Sequence, residues 1–180
     1  MAPFFSEGVA GQLFIPFIDS AIKNFGYNPW EITSIENFPY GAVLFAVVFV
    51  PKALFATVLG DSVLGTGFLG MLLFKLPLLL FDFVLLLLIC LLANNQSHRV
   101  LIFYWLNPVL IFISYVHGQL DIVSMTFIVA SLISLKRGRV ASSGLLFGLS
   151  LGSKFHVLVC APFLLAYIWN TEFRKEAFFK

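Results

Sequence analysis

Charge is what this sequence has least of: only 11% of its 180 residues are Asp, Glu, Lys or Arg, against about a quarter in an ordinary soluble domain. Together with 60% hydrophobic residues, that scarcity excludes a soluble globular enzyme. No basic run is built to hold nucleic acid, and the net charge of +2 comes from residues clustered at the ends of apolar segments. Cysteine is nearly missing too. Cys90 and Cys160 sit in apolar surroundings with no second Cys or His at ligand spacing, so they read as small buried hydrophobes and not as a disulfide or a metal site. The first residues, MAPFFSEGVAGQLFIPFIDS, lack a basic leader, and their apolar stretches are broken by Glu7, Gln12 and Pro16, which argues against a secretory signal peptide.

What is present is length of apolar chain. The run GFLGMLLFKLPLLLFDFVLLLLICLLA, Gly67 to Ala93, is long enough at about 1.5 Å per residue to cross a hydrocarbon core of roughly 30 Å. Further spans are predicted over Val100 to Val116 and Leu120 to Leu135, followed by a helical hairpin over Val140 to Trp169. The fold class expected is all-α, a polytopic transmembrane helical bundle in the lipid bilayer of the plasma membrane or the endoplasmic reticulum. Four regions follow: residues 1–40, an aromatic loop with interfacial segments; 41–60, a re-entrant or transmembrane hairpin, because Pro51 and Lys52 fall in its middle; 61–170, the bundle; and 171–180, a charged cytoplasmic tail.

Orientation follows from basic residues, which favour the cytoplasmic side. If Lys136, Arg137 and Arg139 lie there together with Arg174 and Lys175, the segment between them turns back near Ser153 to His156 on the outer side. His117 to Asp121 is then also outside, and Arg99 inside. A re-entrant 41–60 segment puts the N-terminal loop on the outer side as well.

Polar side chains in this apolar background are the candidates for chemistry. HGQLD places His117, Gln119 and Asp121 within five residues, with Gly118 breaking the helix; they form either a hydrated turn or a polar pocket. Lys154 ends the helix GLLFGLSLGSK and, beside His156, suits a lipid-linked phosphate; its alternative is snorkelling to the interface. Gly144, Gly148 and Gly152 recur every four residues and suit close helix packing. Lys75 and Asp82 share a face two turns apart and suggest interhelical structure, while Asn107 and Pro108 mark a kink with a hydrogen bond across helices. In the loop, Asp19, Glu31 and Glu36 lie among Tyr27, Trp30, Phe38 and Tyr40, where rings can stack on sugar faces and a carboxylate can remove a hydroxyl proton.

The ordered series KLPLLLFDFVLLLLI, WLNPVLIFISYVHGQLDIVSMTFIVASLISL and GLLFGLSLGSKFHVLVCAPFLL, with NPWE and NFPYG before it, resembles the GT-C superfamily of polytopic glycosyltransferases over about Pro29 to Leu165. The resemblance implies a GT-C-like bundle that is incomplete, a fragment or one half of a split enzyme needing a second membrane chain to complete it. It implies transfer of a hexose of mannose type from a polyprenyl-phosphate-linked donor on the outer or lumenal side, without metal or other cofactor. Asp19, with Glu31 as fallback, would be the catalytic base; His117, Gln119, Asp121, Lys154 and His156 would bind substrate. A rival reading from the charges alone is a small transporter or a non-catalytic membrane subunit, with Asp82, Asp121 and Lys154 serving ion coupling or assembly.

Overall fold

A computed structural model describes residues 9–33, 35–93, 96–117 and 120–178. Every regular element among them is helical, as the composition leads one to expect. Helix α1 is a π-helical turn, Ala10–Phe14, running into an α-helix, Ile15–Lys23. A short helix α2, Pro29–Ile32, and a 3₁₀ turn, Ile35–Asn37, lead to α3, Ala42–Leu59. After a 3₁₀ turn, Gly60–Val63, comes the long α4, Phe68–Leu92. Helix α5 joins Ser97–Val100 to Leu101–Trp105, and α6 joins Pro108–Ile111 to Phe112–His117. Helices α7, Asp121–Lys136, and α8, Val140–Ser153, are followed by a 3₁₀ segment, Phe155–Cys160, and by α9, Ala161–Phe178.

Two helices, over Ala42–Val63 and Phe68–Leu92, are long and apolar enough to cross a membrane, and α5 with α6 make a third span, bent by 48°, if the pair is counted as one. Helices α7 and α8 have 16 and 14 residues, fewer than the roughly 20 that an upright crossing needs.

Within the segment expected to be a surface loop, residues 10–23 form a helix. Ala10, Phe14, Phe17, Ile18 and Ala21 recur at helical spacing and are buried, so α1 packs along α3 as part of the core. Pro16 does not break it, standing at the junction where the π-helical turn passes into the α-helical part. The return segment is held by rings: Phe14 meets Phe38 and Tyr40 edge-on at 5.7 and 5.3 Å, Phe17 stacks on Phe38 at 5.1 Å, and Trp30 meets Phe45 at 5.2 Å. Such pairs contribute about 0.5–1.5 kcal/mol each beyond their burial, enough together to pin a segment with few backbone ties.

Residues 41–60 also depart from expectation. Helix α3 runs unbroken through Pro51, and the chain reverses only afterwards, at residues 60–67. Proline forfeits one backbone bond and crowds one carbonyl, a local loss that α3 takes without breaking. Lys52, the other reason for expecting a reversal, is neutralised by Asp19 of α1.

Helix α4 serves two groups of partners. Its first half, with Met71, Phe74 and Leu78, shares a core with α1 and with Leu44 and Val48 of α3. Its second half runs beside α7: Thr126 donates to the Phe81 carbonyl at 3.1 Å, and Phe81 and Phe127 meet edge-on. Helices α7 and α8 then form an antiparallel pair about the tight turn at Gly138, whose φ of 73° lies in the left-handed region that glycine adopts without strain. Their contact is polar. Ser150 Oγ donates to the Ser124 carbonyl at 2.7 Å, and Ser131 Oγ bonds Ser143 at 2.9 Å. Hydroxyls joining helices across their interface suit an apolar medium, where no water competes for them.

The expected glycine stripe is only partly used. A Cβ on Gly41 would collide with the Gly152 carbonyl, and one on Gly152 would meet Val43, so α3 starts in direct backbone contact with α8. Gly144 and Gly148 face open space. The kink at Asn107 is present, but its hydrogen bonds are local, joining the consecutive arms α5 and α6 and reaching no other helix: Oδ1 accepts from Val109 N–H at 2.9 Å and Nδ2 donates to the Phe103 carbonyl at 3.1 Å. An Asn before Pro caps the new helix itself, which consumes the side chain.

Candidate active site

Asp121 is the first residue of α7, and Lys154 is the residue after the last turn of α8. Because the two helices are antiparallel, these ends lie side by side. The partial positive charge at a helix N-terminus favours the acid and the partial negative charge at a C-terminus favours the base, so each helix stabilises the charge it carries. Lys154 Nζ donates directly to Asp121 Oδ1. The side chains keep 26% and 31% of their surface exposed, which leaves the pair accessible from outside.

Tyr40 lies over this pair, its ring centroid 5.3 Å from Lys154 Nζ. Burial, and then the negative charge of Asp121, push its hydroxyl up to about 12, partly offset by a hydrogen bond with the Leu120 backbone, so it is a neutral phenol at ordinary pH. The adjoining backbone fixes it in place, since Gly41 N–H donates to the Ser153 carbonyl at 3.0 Å. The N-terminal region therefore meets the bundle where Asp121 and Lys154 meet.

His156, two residues beyond Lys154, is exposed on the 3₁₀ segment. Gln119 and the side chain of His117 lie outside the described residues. Glu31 sits exposed in α2, its Oε1 accepting from Asn28 Nδ2 at 3.0 Å. Trp30 next to it donates through Nε1 to the Phe38 carbonyl at 3.2 Å, and Phe38 packs on Tyr40 at 5.2 Å, which links the Glu31 helix to the Lys154 region by contiguous contacts.

Asp19 is placed differently. It is 7% exposed; Oδ1 is 2.5 Å from Lys52 Nζ, and Oδ2 accepts from Gly65 N–H at 2.6 Å. One carboxylate thereby ties α1 to α3 and to the turn before α4. Among the described residues no three His, Cys, Asp or Glu side chains gather as a metal site.

Several partners escaped sequence reasoning. Lys52 was legible as a lone lysine in an apolar run that needs an anion, but its partner Asp19, expected as the base, lies farther along the chain than Asp61 or Glu36. Tyr104 and Tyr115 lie eleven residues apart, three helical turns, on the face that meets Asp82. Tyr40 showed only as one ring of the aromatic loop, with nothing to tie it to Lys154.

A family model described as the ALG6, ALG8 glycosyltransferase family matches residues 66–180. The chain belongs to that family. It is thus an integral membrane protein of a glycosyltransferase family, in keeping with the GT-C resemblance. No curated protein and no solved structure matches it. Asp82, Asp121, Lys154 and His156 fall within the part matched to the ALG6, ALG8 family, whereas Asp19, Glu31, Tyr40 and Lys52 precede it.

Proposed function

We propose that this chain takes part in transferring a hexose from a polyprenyl-phosphate-linked donor to an acceptor hydroxyl, at the outer or lumenal end of the bundle. The observation that carries the reading is the half-open Asp121–Lys154 pair under Tyr40, the place where a cation can be offered to an anion arriving from outside. Lys154 has three ammonium protons and gives one to Asp121, which leaves donors for a phosphate oxygen. In the transfer, the acceptor oxygen bonds to the anomeric carbon as the bond from that carbon to the phosphate oxygen breaks. The lipid phosphate leaves with the electron pair and gains negative charge, which Lys154 stabilises. The acceptor proton goes to a carboxylate.

Of the two loop carboxylates, Glu31 suits that task better. Both oxygens of Asp19 are engaged, one by a cation and one by an N–H, and the side chain is buried, whereas Glu31 is open to an incoming hydroxyl. Asp121 orients Lys154, and His156 lies at the rim on the same side.

The test is transfer from polyprenyl-phosphate mannose and polyprenyl-phosphate glucose by membranes containing the full chain. Lys154→Ala and Glu31→Gln are expected to lower turnover by about 100-fold or more, with Lys154→Arg partly active. Unchanged turnover in both would rule the reading out, and the preferred donor decides between the two hexoses.

A further inference from the structure

The bend between α5 and α6 is bridged locally by Asn107, whose Nδ2 donates to the Phe103 carbonyl of the first arm while Oδ1 caps the second, and the arms meet there at 48°. Away from that junction, both arms are tied to α4. Asp82, 8% exposed, accepts the Tyr104 hydroxyl on one oxygen and the Tyr115 hydroxyl on the other, the second at 2.5 Å. Tyr104 belongs to the arm before the break and Tyr115 to the arm after it. Seven residues earlier on the same face of α4, Lys75 Nζ donates to the Tyr115 carbonyl at 2.9 Å. Tyr115 is therefore held by its hydroxyl and by its backbone from one helix.

The arm so held ends at His117, four residues before Asp121. A cavity of about 300 Å³ is lined by Asp82, Tyr104, Tyr115 and Asp121, so the brace and the candidate site border one space. We propose that Asp82 is a positioning residue that clamps the two arms of the broken span through Tyr104 and Tyr115, so that the second arm delivers Asp121 to Lys154. The chemistry explains why an acid is used. A carboxylate offers two equivalent acceptors for two phenolic donors, whereas an amide accepts from one tyrosine and must donate to the hydroxyl oxygen of the other, a partial substitute.

The kinetic part of the test rests on the transfer reading above; the geometric part does not. In the full chain, with Cys90→Ala and Cys160→Ala removing the native thiols, an Asp121→Cys/Lys154→Cys pair is treated in membranes with a short bifunctional maleimide. Cross-linking is expected to fall by about 10-fold on adding Asp82→Leu and to recover in large part with Asp82→Asn. If Asp82→Leu fails to accumulate, Tyr104→Phe with Tyr115→Phe removes only the two hydroxyls and is expected to act alike. Cross-linking that either set leaves unchanged overturns the clamp. In transfer assays Asp82→Leu is expected to lower kcat by up to about 100-fold with donor KM within about twofold, the signature of misplacement without loss of binding. Combined with Asp121→Asn it should add little further loss, because both act on one arrangement; fully multiplied losses would place Asp82 in an independent role. Absence of transfer in the unsubstituted protein would remove the functional reading and leave the cross-linking result to stand for the clamp.

Discussion

Two aspartate–lysine pairs built from the same functional groups occupy opposite kinds of surroundings. Asp19 and Lys52 are sealed, the lysine with no exposed surface, and the pair joins α1 to α3 in the middle of an aromatic core. Asp121 and Lys154 stand at the mouths of two antiparallel helices with a quarter to a third of their side chains open. The buried pair is closed to incoming groups by its burial, so it fastens one element to another. The open pair can admit a third group, which is what recognition of an anion requires. Burial, and not residue type, separates a fastening from a site.

The sharpest way to break that contrast is to remove one partner from each pair. Lys52→Met leaves Asp19 buried with its charge unmatched and is expected to cost about 3–5 kcal/mol of stability in detergent unfolding, whereas Asp19→Leu with Lys52→Met together should recover most of it. Lys154→Ala should do the reverse: a stability change under about 1 kcal/mol alongside loss of transfer. A large unfolding penalty at Lys154 with intact turnover would collapse the distinction. A smaller effect tests what brings the open pair together. Ser150→Ala removes one interhelical hydrogen bond and is expected to cost about 1 kcal/mol, with a lowered Asp121–Lys154 cross-linking yield.

The smallest effect is one of pH. The Tyr40 hydroxyl is pushed up to about 12, by burial first and by Asp121 second, so the folded protein resists ionisation that the unfolded chain undergoes near the ordinary tyrosine value of about 10. The stabilisation is whole below that value and is lost as pH rises from about 10 towards 12. Thermal melts should therefore fall more steeply with pH over that window in the unsubstituted protein than in Tyr40→Phe, which keeps the ring over Lys154. Parallel slopes would place Tyr40 in water.

The sequence carried the class of fold and the ends of the long spans, because apolar length and turn residues are local properties. The break at Asn107 and the turning point at Lys154 were legible for the same reason. Helix α1 was not, since Glu7, Gln12 and Pro16 obscure a periodicity that only a packing partner makes decisive. At the site, Asp121 and Lys154 were each visible as charges out of place, but they lie 33 residues apart in the chain and their pairing depends on the antiparallel register of α7 and α8. Asp82 showed as an interhelical group, yet its two tyrosine partners emerge only from the bend that it straddles. Charges announce that they need partners; the topology decides which.

The serine contacts between α7 and α8 have a consequence for how the pair at their mouths can move. The bond of Ser150 to Ser124 lies one turn below Lys154 and Asp121, and the bond of Ser131 to Ser143 lies seven residues further along each helix. Sliding one helix against the other by a single turn, about 5.4 Å, would unmake every one of these rungs at once and strand hydroxyls in an apolar seam. Slippage is therefore all-or-none, like a toothed rack: small forces leave the teeth engaged, so the ladder quantises the register of the two helices and leaves the approach of Asp121 to Lys154 at their open end to the segments above. Any adjustment needed to admit a ligand must come from rotation of the two side chains or from the segments above, and not from the helices themselves.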